Sequence, residues 1–77
     1  MSEWERMYQR AQRLKEQYKP GTRLECLSMN DPWSPVYPGT RGTVTSVDDA
    51  GTIHMKWDNG RTLGLIPGED AFKVIEE

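Results

Sequence analysis

The side chains of this chain that could do chemistry are one histidine, one cysteine and a few paired carboxylates. His54 can act as a general acid or base only beside a partner that orients its ring, and Asp48 or Asp49 could reach it across a hairpin. The sequence places no nucleophile with these three groups. Because a catalytic site needs a complete set of such groups, we predict no catalytic residues and no enzyme activity.

Sites for a metal, a cofactor or a phosphate group are not predicted either. Cys26 and His54 are too few to form a zinc site, and segment 48–51 lacks the alternating carboxylates of a calcium loop. The glycine-containing segments lack the Lys-Ser/Thr pair and the helix of a phosphate loop. We therefore expect the acidic residues at 48–49 and 69–70 to stabilise turns, and Cys26 to be a small core residue in a reducing compartment.

Segment 30–39 carries the best candidates for binding a partner. It holds three prolines together with Trp33 and Tyr37, and such residues on loops form shallow grooves that hold peptides or stack on bases. Trp33 could instead cover one end of a small fold, and both interpretations stay open. Arg41 and Arg61, each beside a turn, are predicted to flank the groove.

The first element that must position these residues is an amphipathic helix, predicted over residues 2–18. Ser2 and Glu5 have the spacing of a capping box, and Pro20-Gly21 ends the helix. Six apolar side chains recur on one face, and we call them the apolar stripe: Trp4, Met7, Tyr8, Ala11, Leu14 and Tyr18. The stripe predicts that the helix packs over the open side of a sheet or pairs with a second copy of the chain.

Three arginines form a second row on this helix: Arg6, Arg10 and Arg13. A row of charge on a surface helix is usually a solvated face. The functional alternative is a ridge that contacts an acidic partner. Both interpretations stay open.

The remaining residues, 22–75, have the pattern of a small antiparallel barrel. Five short strands are predicted at 22–29, 40–47, 52–57, 61–66 and 72–75. Asn59-Gly60 predicts a type I′ hairpin turn between the third and fourth strands. In the third strand Ile53, Met55 and Trp57 alternate with polar residues and are predicted to face the core. Gly42 is predicted to mark a bulge or a close approach of two backbones.

Size and charge limit what this barrel can bind. A domain of 77 residues buries only about 60% of its unfolded surface, which leaves few side chains for a deep pocket. The net charge of −2 is uneven, because residues 1–19 carry five basic and three acidic side chains, whereas residues 20–77 carry five basic and nine acidic ones. A barrel with an acidic excess repels phosphate, so a protein partner is favoured over a nucleic acid.

Two resemblances rest on motifs in the barrel. Segments 38–44, with Pro-Gly-x-x-Gly-x-Val, and 57–60, with Trp-Asp-Asn-Gly, resemble SH3-like barrels, including the KOW kind, which bind proteins, peptides and nucleic acids alike. Residues 16–75 more closely resemble the bacterial domain-of-unknown-function family 4314, through the motifs at 16–23, 28–32, 38–44, 47–54, 57–60 and 65–70. This resemblance implies a small barrel encoded largely by Firmicutes and their phages or mobile elements, and it implies no established activity.

The sequence as a whole predicts one domain over residues 1–77: a helix at 2–18 and a mainly β, five-stranded SH3-like barrel at 22–75. We expect a non-catalytic, cytoplasmic protein-interaction module that serves a phage or mobile element as an accessory or host-modulating factor, including an anti-defence role. Neither a cofactor nor a membrane contact is expected, and self-association through the helix is one possibility. The predicted partner-binding residues are Trp33, Tyr37, Arg41, Arg61, Arg6, Arg10 and Arg13.

Two alternatives to a protein-interaction module stay open. One is a KOW- or Tudor-like nucleic-acid-binding module that uses the arginine row and stacks bases on Trp33 or Tyr37. The other is a small-ligand binder whose pocket forms between subunits, since a single chain of this size has little material for pocket walls.

Overall fold

The computed structural model describes residues 2–29 and 36–76. Within them the elements are α1 (Glu3–Gln17), β1 (Arg23–Ser28), β2 (Arg41–Val47), β3 (Ile53–Trp57) and β4 (Ala71–Val74). The strands form one antiparallel sheet in the order β3-β2-β1-β4. The prediction of a helix followed by a small antiparallel sheet is confirmed.

Helix α1 lies within the predicted residues 2–18. The hydroxyl of Ser2 accepts a hydrogen bond from the Glu5 amide at 3.2 Å, which satisfies one of the free N–H groups of the first turn. At the other end the Tyr18 amide donates to the Leu14 carbonyl at 2.8 Å, and Pro20 follows. The caps at Ser2 and Tyr18 therefore set the length of the helix.

The inner face of the sheet forms the core. Ile53, Met55 and Trp57 are buried as predicted, and the other buried members are Leu14, Leu24, Cys26, Val36, Val44, Val47 and Leu65. Gly42 faces Trp57 across the β2–β3 pair, and a Cβ atom at Gly42 would lie 2.8 Å from Cε3 of the indole. Gly42 is thus a close approach, whereas the bulge in β2 lies between Val44 and Ser46.

The predicted strand at 61–66 is absent as a regular strand. The Trp57 amide donates to the Arg61 carbonyl, and Ile53 and Leu65 form a bridge, so both ends of the segment keep one register with β3. Between them the Leu63 carbonyl accepts a hydrogen bond from the Trp57 indole N–H at 2.7 Å. Because a side chain uses this acceptor, the ladder is not continuous. Within residues 2–29 and 36–76 four strands form an open sheet, where five strands and a closed barrel were predicted.

The turn after β3 also differs from the prediction. A type I′ turn needs positive φ at both central residues, yet among the described residues only glycines have positive φ. Gly60 has φ 90°, and its amide donates to the Trp57 carbonyl. The Asn59 side-chain oxygen accepts from the Arg61 amide at 3.0 Å, an Asx turn that holds the loop in its longer, three-residue form.

Helix α1 packs on the sheet through its second half only. Ala11 and Leu14 are buried, and the Tyr18 ring meets the Phe72 ring edge-on with 5.6 Å between centroids. Two polar contacts hold the flanks of the helix: Lys15 pairs with Asp49, and the Arg10 guanidinium donates to the Pro67 carbonyl at 2.6 Å. One chain therefore covers part of the apolar stripe without a second copy.

Candidate interaction surfaces

An apolar cleft lies between the first two turns of α1 and the turn that joins β2 to β3. Trp4, Met7, Tyr8, Asp49 and Ala50 line it, and its volume is about 420 Å³. The Trp4 and Tyr8 rings stack almost parallel, at 9° and with 5.7 Å between centroids. This cleft, hereafter the apolar cleft, is the first candidate binding site.

The apolar cleft is formed by the end of the apolar stripe that the sheet does not cover. The helix of fifteen residues extends about 22 Å, and its buried residues, Ala11 and Leu14, both lie in its second half. Ala11 is fully buried, but Trp4, two turns earlier on the same stripe, is 70% exposed. A group of large exposed hydrophobic side chains on a small protein marks an interaction site.

The wall of the apolar cleft opposite the helix is a well-defined turn. The Asp48 carboxylate accepts hydrogen bonds from the Ala50 and Thr52 amides at 3.0 and 2.9 Å, and Gly51 has φ 86°. The other carboxylate oxygen lies 2.8 Å from Nε2 of His54. The Thr52 hydrogen bond, followed by that of His54, lowers the pKa of Asp48. The prediction that this acidic segment stabilises a turn is confirmed, and His54 reaches Asp48 as a part of that turn.

Acidic residues occur in both elements that form the apolar cleft. Glu3 and Glu5 are the chain neighbours of Trp4 in the first turn of α1, and Asp49 lines the cleft from the facing turn. Lys15 pairs with Asp49 and offsets its charge, so the two glutamates carry the acidic character. The surroundings of Trp4 therefore combine apolar surface with an acidic edge.

Only part of the predicted aromatic groove falls within the described residues. Trp33, interpreted either as a groove residue or as a cover for one end of the fold, lies outside them. Tyr37 is 72% exposed, and its carbonyl accepts from the Thr40 amide in the turn that precedes β2. Arg41 and Arg61 lie on opposite sides of the end of β3, because Arg41 bonds Asp58 and Arg61 bonds Trp57 through their backbones.

The three arginines of the row on α1 differ in their contacts. Arg10 is held on the turn at Pro67, so it helps to fix the helix to the domain. Arg6 and Arg13 are exposed. The same turn is closed by Asp70, whose carboxylate accepts from the Ile66 amide at 2.9 Å, and this confirms the predicted turn role of the acidic residues at 69–70.

The outward-facing side of the sheet, hereafter the outer face, is the second candidate surface. Strand pairing places Lys56, Thr43 and Arg23 in one row. It places Arg41, Glu25 and Lys73 in the next row. Each strand thus contributes one cation to this face.

Ion pairs hold the cationic side chains of the outer face in place. The Arg23 guanidinium bonds both carboxylate oxygens of Asp58, at 2.8 and 2.6 Å, and this hydrogen bonding lowers the pKa of Asp58. Glu25 lies between Arg41 at 3.3 Å and Lys73 at 3.7 Å. Arg23 and Lys73 were not predicted as functional, because their common face depends on strand register.

The single thiol lies in the core, as predicted. Cys26 is fully buried, and that burial raises the pKa of its thiol, which keeps it protonated and unreactive. Within residues 2–29 and 36–76, no three His, Cys, Asp or Glu side chains are grouped as metal ligands. The described part of the chain also contains no helix of the length and apolarity required to cross a membrane.

Comparison with known proteins identifies the family. The model of the family described as Domain of unknown function (DUF4314) matches residues 7–75. The chain belongs to this family. The DUF4314 match confirms the family resemblance read from the motifs, and it begins at Met7, so Trp4 lies just outside it. Among curated proteins, none matches the chain.

Two solved structures of Pif1 resemble this DUF4314 protein. Unliganded Pif1 from Bacteroides sp is 37% identical over 60% of this chain and 14% of its own, with a TM-score of 0.50. A double mutant of the Pif1 helicase from Bacteroides is 29% identical over 74% of this chain and 16% of its own, also with a TM-score of 0.50. The chain therefore spans about one seventh of the length of these proteins.

Proposed function

We propose that this DUF4314 protein is a non-catalytic module that binds a protein partner through the apolar cleft. The observation that carries this proposal is the exposed end of the apolar stripe, where Trp4 is 70% exposed while Ala11 is fully buried. Tryptophan, tyrosine and methionine are enriched at the centres of protein interfaces. The cleft gathers one of each: Trp4, Met7 and Tyr8.

The partner that fits best presents a large apolar side chain flanked by lysine or arginine. The cleft volume of about 420 Å³ accommodates such an anchor, and its lining is mainly apolar. Glu3 and Glu5, the chain neighbours of Trp4, attract basic groups, which favours association and orients the partner. The Asp48 hydrogen bonds hold the Ala50 wall in place before binding, so little ordering entropy is lost there.

The finer architecture and the cellular role belong to the same proposal. The order β3-β2-β1-β4, with Leu65 bridged to Ile53 on the far side of β3, supports an SH3-like small barrel whose fourth strand is reduced to one bridge. The family resemblance implies genes of Firmicutes and of their phages or mobile elements but no activity, and we also propose that the protein acts in the cytoplasm as an accessory or host-modulating factor, including an anti-defence role.

The test is selection of binding peptides from a random display library on the wild-type protein, followed by calorimetry of the selected peptides. We expect sequences with an aromatic or aliphatic anchor beside Lys or Arg. Trp4→Ala should weaken their binding by about tenfold or more. Tyr37→Ala is the matched control, because Tyr37 is equally exposed but lies outside the apolar cleft, and it should leave the affinity unchanged.

Three results would overturn the protein-partner proposal. The first is a set of peptides that bind wild type and Trp4→Ala equally well. The second is a set without basic residues beside the anchor. The third is a wild-type dimer in sedimentation velocity that Trp4→Ala dissociates, because the occupant of the apolar cleft would then be a second copy of the chain.

A second candidate function is nucleic-acid binding, and the Pif1 likeness favours it. One of the two matched structures is a helicase, an enzyme that acts on nucleic acid, and a segment of it is 29% identical to this chain. The first test is fluorescence anisotropy with labelled single- and double-stranded oligonucleotides at low salt. Binding that weakens steeply with added salt is expected, and no binding to either strand form would remove this candidate.

A further inference from the structure

We infer that the outer face binds the phosphate backbone of nucleic acid through four cations, one from each strand: Lys56, Arg41, Arg23 and Lys73. This inference rests on the second candidate function and names its site. The site differs from the one predicted from the sequence, which used the arginine row of α1 and the aromatic loop.

Strand register places the four cations in a zigzag across the sheet. Lys56 and Arg23 share one row, and Arg41 and Lys73 share the next. Each step from one strand to its neighbour is a diagonal pair, about 7–8 Å between residues. The zigzag therefore crosses about 14 Å of sheet perpendicular to the strands, a track of positive residues whose backbone positions are evenly spaced.

The two carboxylates within this track order the cations and do not cancel them. Glu25 lies between Arg41 and Lys73, and its side chain is only 17% exposed. Asp58 holds the Arg23 fork from the edge. With Asp48, which bonds His54 on the same face, the described residues of the outer face carry four cations against three carboxylates, a net charge of +1.

The acidic excess of residues 20–77 does not oppose binding at this face, because much of it lies elsewhere. Asp49 pairs with Lys15 of α1, and Asp70 is held in the turn at Ile66; Asp48 is the exception, because it bonds His54, two residues before Lys56 on the same face of β3. Charges separated by more than about 8 Å are largely screened at physiological ionic strength. The local charge of the outer face therefore decides its affinity for phosphate.

The test compares single-charge variants in anisotropy titrations with a labelled oligothymidylate and a duplex of equal length. Lys56→Gln should weaken binding about fivefold at low salt. It should also reduce the slope of log affinity against log salt concentration by about 0.7–0.9 for each phosphate that is no longer neutralised. Glu25→Gln should strengthen binding about fivefold, because it removes the carboxylate that competes with phosphate for Arg41 and Lys73. Arg13→Gln, an equal charge change on α1, is the control and should have no effect. Thermal unfolding of each variant verifies that the fold persists.

The possible results distinguish a failure of the outer-face site from a failure of the nucleic-acid-binding function. Nucleic-acid binding that Lys56→Gln and Glu25→Gln leave unchanged, or that Arg13→Gln weakens instead, overturns the outer-face site while the second candidate function stands. No binding by wild type overturns both. The inference is also overturned if polyglutamate of matched charge displaces the labelled oligonucleotide as well as unlabelled oligonucleotide does, because the face would then attract any polyanion. A preference for single strand or duplex assigns the form of the ligand.

Discussion

The two halves of α1 carry one continuous apolar stripe but have opposite surroundings. In the second half Ala11 and Leu14 are buried against the sheet, and Tyr18 packs on Phe72. In the first half Trp4, Met7 and Tyr8 remain exposed above the turn at Ala50. The small side chain of Ala11 lets the backbone approach the sheet, whereas the bulky residues of the first half face the turn at Asp49 and Ala50 across an open cleft. An amphipathic pattern shows which face is apolar, and the extent of the sheet decides how much of that face is available to a partner.

The largest effect expected from this contrast is on stability, and it falls in the second half of the helix. Leu14→Ala removes a buried side chain that packs near Gly51 and should lower the free energy of unfolding by about 2–4 kcal/mol. Urea denaturation measures it. Met7→Ala, seven residues earlier on the same face, is the matched control and should change the free energy of unfolding by about 0.5 kcal/mol or less. Equal losses at the two positions would erase the distinction between the halves.

A smaller effect on the free energy of unfolding is expected in the turn between β2 and β3, which faces both halves of α1. Asp48→Ala removes the acceptor for the Ala50 and Thr52 amides and should lower the free energy of unfolding by about 1 kcal/mol. Asp49→Ala removes only an exposed ion pair with Lys15 and should have an effect below about 0.5 kcal/mol in the same denaturation experiment. A larger loss for Asp49→Ala than for Asp48→Ala would contradict this assignment.

The pH dependence of stability tests how much the ionised carboxylate of Asp48 contributes. Its pKa is lower in the folded than in the unfolded protein, where it is near 3.8, so its contribution is fully present above the unfolded value. That contribution is lost as the pH falls below about 4 and through the folded pKa. Denaturation curves across this range should show stability falling with acid in wild type and falling less in Asp48→Asn. A wild-type stability that is flat or rises in acid would contradict the sign, and Asp58, whose pKa is also lowered, contributes in the same direction.

The smallest effect on stability is expected at the exposed end of the stripe. Trp4→Ala removes a side chain that is 70% exposed, and the free energy of unfolding should change by about 0.5 kcal/mol or less. Thermal and urea denaturation of the variant check this. A loss near that of Leu14→Ala would show that Trp4 stabilises the fold, which would remove the physical basis for the apolar cleft as a binding site.

Sequence patterns predicted those parts of the molecule that depend on local chemistry. The Ser2 cap, the alternation of Ile53, Met55 and Trp57, and the turn role of Asp48 all follow from side-chain spacing, and all are present in the structure. Gly42 was predicted to mark a bulge or a close approach, and the structure shows the close approach, because a glycine within a strand leaves room for a large neighbour. These features need no knowledge of distant pairing.

The features that sequence patterns missed depend on contacts between distant residues. The fourth strand was predicted from alternation at 61–66, but the Trp57 indole takes the Leu63 carbonyl that a ladder would use. The outer face was missed because total charge does not show that register places Arg23 and Arg41 on one side. Trp4 was assigned to the stripe but not to a site, because the pattern of the stripe does not show which of its residues the sheet covers.

The most direct test of the central claim is a nuclear magnetic resonance titration of the labelled protein with a selected basic, apolar-anchored peptide. We predict that the resonances of the Trp4 indole N–H and the Ala50 amide shift with the peptide, because both groups border the apolar cleft. The resonances of the buried Trp57 indole and the distant Tyr37 amide should stay in place. Shifts that centre on Tyr37 or on the outer face, with Trp4 and Ala50 unchanged, would contradict the claim that the apolar cleft is the binding site.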